Sequence, residues 1–383
     1  MRLIADSQEL ADFCQTIAEE RYVTIDTEFM RDRTFWPKLC LVQIGSTDEA
    51  VAVDPLAPDI DLQPLQALLA NEKITKVFHA CRQDLEVFYH IFGELPVNVF
   101  DTQIAAMFTG YGDEVGYENL VGRIAKARLD KSSRFTDWAR RPLSEAQLRY
   151  AIGDVTHLRK IFEHLEAQLD DAARRSWVDE ELQPLLAADL YEQPPRSAWH
   201  RLKFKSKDRR FYGIVRELAA WRETRAQTRD VPRNRVMRDD IILEIAASKP
   251  KSVDELRGLD RVSIDRTGAA EMVAAIEAAM ALPADELPPL KEHRIPPRGI
   301  GAIVDLLRVL LKHISDEEGI APRLIATTSD LEAIAQDDDA DVATMHGWRR
   351  RLFGERALAV KAGRVGFCVR DRKLELIKLE AVT

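Results

Sequence analysis

Cysteine is scarce in this 383-residue chain. The four residues, Cys14, Cys40, Cys81 and Cys368, form no CxxC pair and no close cluster. That spacing excludes a zinc site of the usual sort and reads as the reduced, mostly buried thiols of a cytoplasmic protein. Long apolar runs are missing too: no stretch of eighteen apolar residues occurs, so no transmembrane helix is expected. Acidic residues interrupt the N-terminal MRLIADSQELADFC, where a signal peptide needs an unbroken apolar core. Positive charge is short overall. The net value of −9, taken by itself, argues against a nucleic-acid binder. Its distribution points the other way, because residues 196–240 hold fourteen Lys/Arg against six Asp/Glu. An acidic body carries a basic belt. With 46% apolar and 31% charged residues the composition is that of a globular protein, and the length calls for two or three domains.

What is present begins at residues 23–29 (VTIDTEF). Val23, Ile25 and Phe29 give the stretch the character of a β-strand. Side chains alternate along a strand, so Asp26 and Glu28 project from one face. Paired carboxylates repel and are stable as anions opposite a cation, for which hard oxygen donors select Mg²⁺ or Mn²⁺. The competing reading is the polar rim of an edge strand. The motif by itself leaves both open.

A helix over residues 7–20 precedes this strand, and two strands follow it, at 39–44 and 50–53. Such short connections predict an antiparallel meander. The order then changes to strands at 74–78 and 97–100 alternating with helices at 62–70, 83–92, 102 onward and 117–127. A long helix over 144–169 closes the region. The pattern is a mixed sheet with packed helices, an α/β domain over residues 1–180. Residues 181–207, with Pro184, Pro194 and Pro195, read as a basic linker. Everything from 208 to 363 has helical periodicity and contains a repeat at an offset of 89, with VPRNRVMRDDIILEIA (231–246) over IAPRLIATTSDLEAIA (320–335). Two helical domains of one kind are expected, 208–290 and 296–363, joined by a Pro-rich connection at 287–297. Residues 364–383 alternate as a terminal hairpin.

Two further acids can join the first pair. Asp84 starts the helix after the 74–78 strand, where the helix dipole would also favour an acid on purely structural grounds. Asp154 lies four residues after Tyr150, so both share one face of the long helix, and Ala151, Ile152 and Val155 turn that helix toward the sheet. Four converging carboxylates would hold two divalent ions about 3.5–4 Å apart, suited to in-line phosphoryl displacement. Tyr150 would then orient the attacking water. In the belt, Trp199, Phe204 and Phe211 interleave Lys203, Lys205, Lys207 and four arginines. That mixture suits phosphate contact and base stacking, or else a solvated linker anchored by its rings.

The residues Asp26-Thr27-Glu28-Phe29-Met30-Arg31, His79 with Asp84-Leu85-Glu86-Val87-Phe88, Asp101-Thr102-Gln103 and Tyr150-x3-Asp154 together resemble the three exonuclease motifs of the ribonuclease D family. These are DEDD 3′→5′ exonucleases of the tyrosine type. The likeness continues in Thr136-Asp137-Trp138 and Arg141-Pro142-Leu143. It extends to the family's helical HRDC modules through Leu218–Arg222 and Asn234-x-Val236, while the second helical copy and the hairpin end depart from that pattern. The resemblance implies a ribonuclease H-like exonuclease domain followed by two all-α HRDC-type domains. It implies Asp26, Glu28, Asp84 and Asp154 as ligands of two divalent cations, Mg²⁺ or Mn²⁺, and Tyr150 as the water-orienting residue. Phe29, Arg31 and Gln103 would contact the 3′-terminal nucleotide, and Lys203, Lys205 and Lys207 the RNA backbone. Asp101 reads as a capping residue, His79 as structural and Cys81 as core. The expected activity is a metal-dependent 3′→5′ exoribonuclease of the cytoplasm. It would release nucleoside 5′-monophosphates from single-stranded 3′ ends of tRNA precursors and other stable RNAs, with no membrane and no obligate protein partner. The alternatives are a DNA-directed exonuclease of the same superfamily and a noncatalytic RNA-binding scaffold.

Overall fold

The computed structural model describes residues 1–129, 133, 136–290 and 299–379. Most of the connection at 287–297, and residues 380–383 of the terminal segment, lie outside them. The chain opens with a short strand, β1 (Arg2–Ile4), and helix α1 (Ser7–Thr16), whose first N–H groups are capped by the Asp6 carboxylate. Strands β2 (Tyr22–Met30), β3 (Lys38–Gly45) and β4 (Ala50–Val53) form the antiparallel meander. Helix α2 (Gln63–Leu69), β5 (Thr75–Phe78), α3 (Arg82–Phe92), β6 (Val99–Asp101), α4 (Thr102–Met107) and α5 (Tyr117–Leu120) follow. The sheet order is β1-β4-β3-β2-β5-β6, with β2, β5 and β6 parallel and β1 parallel to β4. Strand β2 is therefore central; at Asp26 and Glu28 it pairs with β3 on one side, while its pairing with β5 on the other ends at Thr24.

Helix α6 (Glu145–Asp171) lies across β2, β3 and β4. Ser144 and Gln147 close a capping box at its start, satisfying N–H groups that would otherwise be orphaned. Its inner face buries Ala151, Val155, Leu158, Phe162 and Leu165. The approach is close. Thr24 Oγ1 donates to the Val155 carbonyl at 2.9 Å, and a β-carbon at Gly45 would collide with Thr24 and stand 3.2 Å from that same carbonyl. Glycine is the residue that lets the helix sit this low on the sheet.

Helix α7 (Arg175–Leu182) leads into residues 183–207. These are not the linker expected from their prolines. The 3₁₀ stretch Pro195–Arg201 packs on α8 (Arg209–Arg229), and Ala198, Trp199 and Leu202 are buried in one core with Leu218, Ile242, Ile245 and Met272. The first helical module thus begins near 195. It continues through α9 (Arg233–Val236), α10 (Asp239–Ser248), α11 (Val253–Arg257) and α12 (Arg266–Ala281).

The second module holds α13 (Gly301–Glu318), α14 (Pro322–Ile325), α15 (Thr328–Gln336), α16 (Gly347–Arg349) and α17 (Glu355–Lys361). Helices α14 and α15 begin 89 residues after α9 and α10, and α13 ends 89 after α8. Its apolar side does not close on itself. Trp348 stacks on Trp177 at 5.0 Å and meets Phe108 edge-on at 5.2 Å, so this module shares the exonuclease domain's core. Arg174 to Glu318, Arg349 to Glu181, and the Ala321 N–H to the Met107 carbonyl fasten the contact. Strands β7 (Val365–Arg370) and β8 (Lys373–Lys378) form an antiparallel hairpin at the end.

Candidate active site

Strand β2 presents Asp26 and Glu28 toward α6, and α6 presents Asp154 toward them. Carboxylate oxygens of these three residues lie within 4.8 Å of one another. They line a cleft of about 470 Å³ together with Tyr150, His79 and Tyr117. The turn of α6 that carries Asp154 is fixed from outside the helix as well: Tyr117 Oη donates to the carbonyls of Asp154 (2.6 Å) and Gly153 (3.1 Å).

Asp84, at the N-terminal turn of α3, is fully buried but stands outside this trio. Its Oδ1 accepts from Thr27 Oγ1, the residue between the two acids of β2. Burial holds the Asp26 carboxyl well above the usual range, and the Asp154 charge adds to it, against a donated Thr27 N–H. Burial likewise raises Asp84, with the Asp26 charge second. Both shifts disfavour the anion, and a cation between the carboxylates would offset them. An all-oxygen donor set without His or Cys fits Mg²⁺ or Mn²⁺. The acidic group is suited to a divalent ion.

Tyr150 reaches the cleft one turn before Asp154. Its ring lies 6.0 Å from that of buried Trp138. Trp138 is anchored in turn through Arg141, which donates to the Trp138 and Cys40 carbonyls at 2.7 Å and clasps Asp54 at 2.6 and 2.7 Å. The residues between the third motif and the preceding helix therefore build the wall behind Tyr150.

The expected nucleotide contacts are placed elsewhere. Arg31 makes two 2.7 Å bonds to Glu86, which also accepts from Gln193, so its guanidinium is committed. Phe29 packs against the core, and Gln103 Nε2 donates to the Val115 carbonyl at 3.2 Å. None of the three lines the cleft. Its wall is instead Gly116, Tyr117, Glu118 and Asn119, with Gln83 opposite, residues that no motif spacing singled out. Asp101 caps α4 and also accepts the N–H groups of Ala80 and Cys81. His79 Nδ1 lies 3.0 Å from Thr102 Oγ1, and burial lowers its pKa.

The basic belt is largely consumed by the fold. Arg196 pairs with Glu217, Arg201 with Glu223, Arg209 donates to the Leu287 and Pro288 carbonyls, and Arg210 to that of Ala279. Trp199 is buried, and Phe204 meets Phe211 at 5.5 Å and Tyr212 at 4.8 Å, so these rings are packing groups. Lys203, Lys205 and Lys207 are exposed, and among the described residues they form no ion pair.

Residues 1–170 match the family described as 3'-5' exonuclease, and residues 212–270 match the HRDC domain. The chain is 48% identical to ribonuclease D of Jannaschia sp., covering 98% of this chain and 99% of that one. It is 44% identical to ribonuclease D of Granulibacter bethesdensis, over 98% and 96%. Its structure is similar to that of Escherichia coli RNase D, an exoribonuclease involved in structured RNA processing. There the TM-score is 0.81 at 29% identity, over 94% of this chain and 98% of that one. Among the described residues, no helix is long and apolar enough to cross a membrane. The likeness spans both the sheet that gathers the acids and the helices that follow it, and the chain belongs to the ribonuclease D family of 3′→5′ exoribonucleases.

Proposed function

We propose that this chain trims single-stranded 3′ ends of tRNA precursors and other stable RNAs in the cytoplasm, releasing nucleoside 5′-monophosphates. Two divalent cations, Mg²⁺ or Mn²⁺, would be held by Asp26, Glu28, Asp154 and Asp84. The observation that carries this reading is the trio of carboxylates within 4.8 Å at the floor of the cleft. When bound, the ions offset the charge of the scissile phosphate and lower the pKa of a coordinated water. The protein's own part is positioning. The acids present oxygens from three elements, β2, α3 and α6, and Tyr150 hydrogen-bonds the attacking water and aims it at phosphorus. A phenol hydroxyl suits orientation better than proton abstraction.

A time course on a 3′-extended tRNA tests the reading. Stepwise shortening is expected with Mg²⁺, and none with chelator. Shortening that persists in chelator would remove the metal chemistry, and no shortening in either condition would leave a scaffold. Matched RNA and DNA oligonucleotides separate the DNA-directed alternative: RNA is expected to be digested faster, and equal rates would favour DNA.

Lys203, Lys205 and Lys207 are proposed to hold the RNA backbone away from the catalytic cleft. Changing all three to alanine should weaken RNA binding and flatten its dependence on log salt by about 2, since each single-strand phosphate contact contributes about 0.7. An unchanged slope assigns these lysines to ordinary surface.

A further inference from the structure

Strand β3 carries a polar residue where its neighbours are apolar. Gln43 sits in Lys38–Gly45 between Val42 and Ile44, and its side chain is fully buried. Neither its amide nitrogen nor its amide oxygen has a hydrogen-bond partner among the described residues. A buried amide left in this state costs on the order of 1–3 kcal/mol, so a stable fold keeps one where it has work to do. Its location says what that work is. In the antiparallel register of β2 with β3, Gln43 stands directly opposite Asp26. Directly opposed residues share a face of the sheet, with β-carbons about 4.5–5.5 Å apart. On its other side Gln43 is paired with Ala52 of β4, which brings no polar group. Helix α6 packs on β3, where Val155 lies against Gly45, two residues along from Gln43. Asp26 is the ionisable group directly across the ladder from the amide.

We propose that Gln43 is a positioning residue for Asp26: its amide N–H, through one buried water, holds the carboxylate in the orientation that receives a divalent cation. The inference rests on the metal reading of the acidic trio. Gln43 touches neither RNA nor ion. It fixes one oxygen of Asp26 so that the other faces Glu28 and Asp154, the role that hydrogen-bonding partners of metal-bound carboxylates commonly fill. Thr27 holds Asp84 in the same manner on the other side of the strand. Each of these two acids would then have one neutral side chain of the sheet as its guide.

The test uses the full chain with Gln43→Leu, which keeps volume and removes the amide, and Gln43→Met as an unbranched second variant in case the first packs poorly. Calorimetric titration of Mn²⁺ into RNA-free protein is expected to show about tenfold weaker binding in either variant. At subsaturating metal, kcat should fall by a similar factor with KM for RNA unchanged, and excess Mn²⁺ should restore it. The thermal midpoint without metal should be unchanged or higher, because an unpartnered amide has been removed. Mn²⁺ affinity equal to that of the unsubstituted chain overturns the inference, and so does a loss of stability without a loss of affinity. If the unsubstituted chain binds no more Mn²⁺ than Asp26→Asn does, the metal reading itself falls and takes this role for Gln43 with it.

Discussion

Asp26→Asn is expected to leave the fold intact and to reduce nucleotide release at least about 10³-fold, about 4 kcal/mol of transition-state stabilisation. The two halves of that expectation have one origin. Asp26 is half-buried beside Asp154, and both desolvation and that neighbouring charge oppose its ionised form. A neutral amide of the same shape relieves the repulsion, so the metal-free protein should be as stable as before or slightly more so. The charge that is removed is the one a cation needs, and catalysis goes with it. Circular dichroism and thermal melting check the first half, and stepwise shortening of a 5′-labelled RNA checks the second. Asp84→Asn should lose activity to the same order if Asp84 is the fourth ligand. A loss below about tenfold would reduce its part to holding Thr27. Full activity in Asp26→Asn removes the metal reading.

Stability of the metal-free chain is expected to fall as pH rises from about 4 toward neutrality, and Mg²⁺ to abolish that fall. Asp26 and Asp84 are both raised, first by burial and then by neighbouring carboxylates. In the unfolded chain they titrate near 3.9. Between that value and their folded values the native state holds protons that the unfolded state has released, so the derivative of unfolding free energy with pH is negative. Their contribution is fully present below the unfolded value and is lost as pH climbs through the folded one. A bound cation reverses the preference by stabilising the anions. At one hundred times its dissociation constant it contributes about 2.7 kcal/mol, which for a domain of 150–250 residues raises the melting temperature by about 5–10 °C at pH 7.5. At pH 4, where the raised Asp26 and Asp84 hold protons that compete with the ion, the same Mg²⁺ should shift it little. Melting curves at the two pH values, with Mg²⁺ and with chelator, measure this. An equal Mg²⁺ shift at both would mean that the ion binds somewhere other than these acids.

How far the sequence carried depended on whether a feature was local. Asp26 and Glu28 could be placed on one face because strand periodicity is a property of three consecutive residues. Tyr150 and Asp154 followed from one turn of helix. The offset of 89 was readable because α9 and α14, and α10 and α15, repeat the same apolar spacing. Strand β1 was not readable, since three residues carry no period and its partner, β4, lies some fifty positions away. Asp84 could be put at a helix start, but that its carboxylate turns to Thr27 is a rotamer set by tertiary packing. The commitment of Arg31 to Glu86 likewise joins two elements that the sequence does not relate.

The basic belt shows a different failure. Its prolines and charge suggested a linker, yet Trp199 and Leu202 stand three apart, the repeat of a 3₁₀ turn, and bury together. Four arginines of the belt are drawn into ion pairs and carbonyl contacts by neighbours up to 79 residues distant. Charge counted along the chain overstated what is left for RNA: Lys203, Lys205, Lys207 and Arg235 are exposed and form no ion pair among the described residues. The cleft wall at 116–119 left no signal of its own, because Gly116-Tyr117-Glu118-Asn119 is ordinary helix-start sequence whose position is decided by the Tyr117 bond to α6.

The most direct measurement is the number of ions that the acids hold. Metal-free full-length protein titrated with Mn²⁺, with free ion followed by electron paramagnetic resonance, should bind two equivalents, and Asp154→Asn should bind fewer. One unchanged stoichiometry in both proteins, or no binding in either, would contradict a site in which β2 and α6 jointly cage the cations.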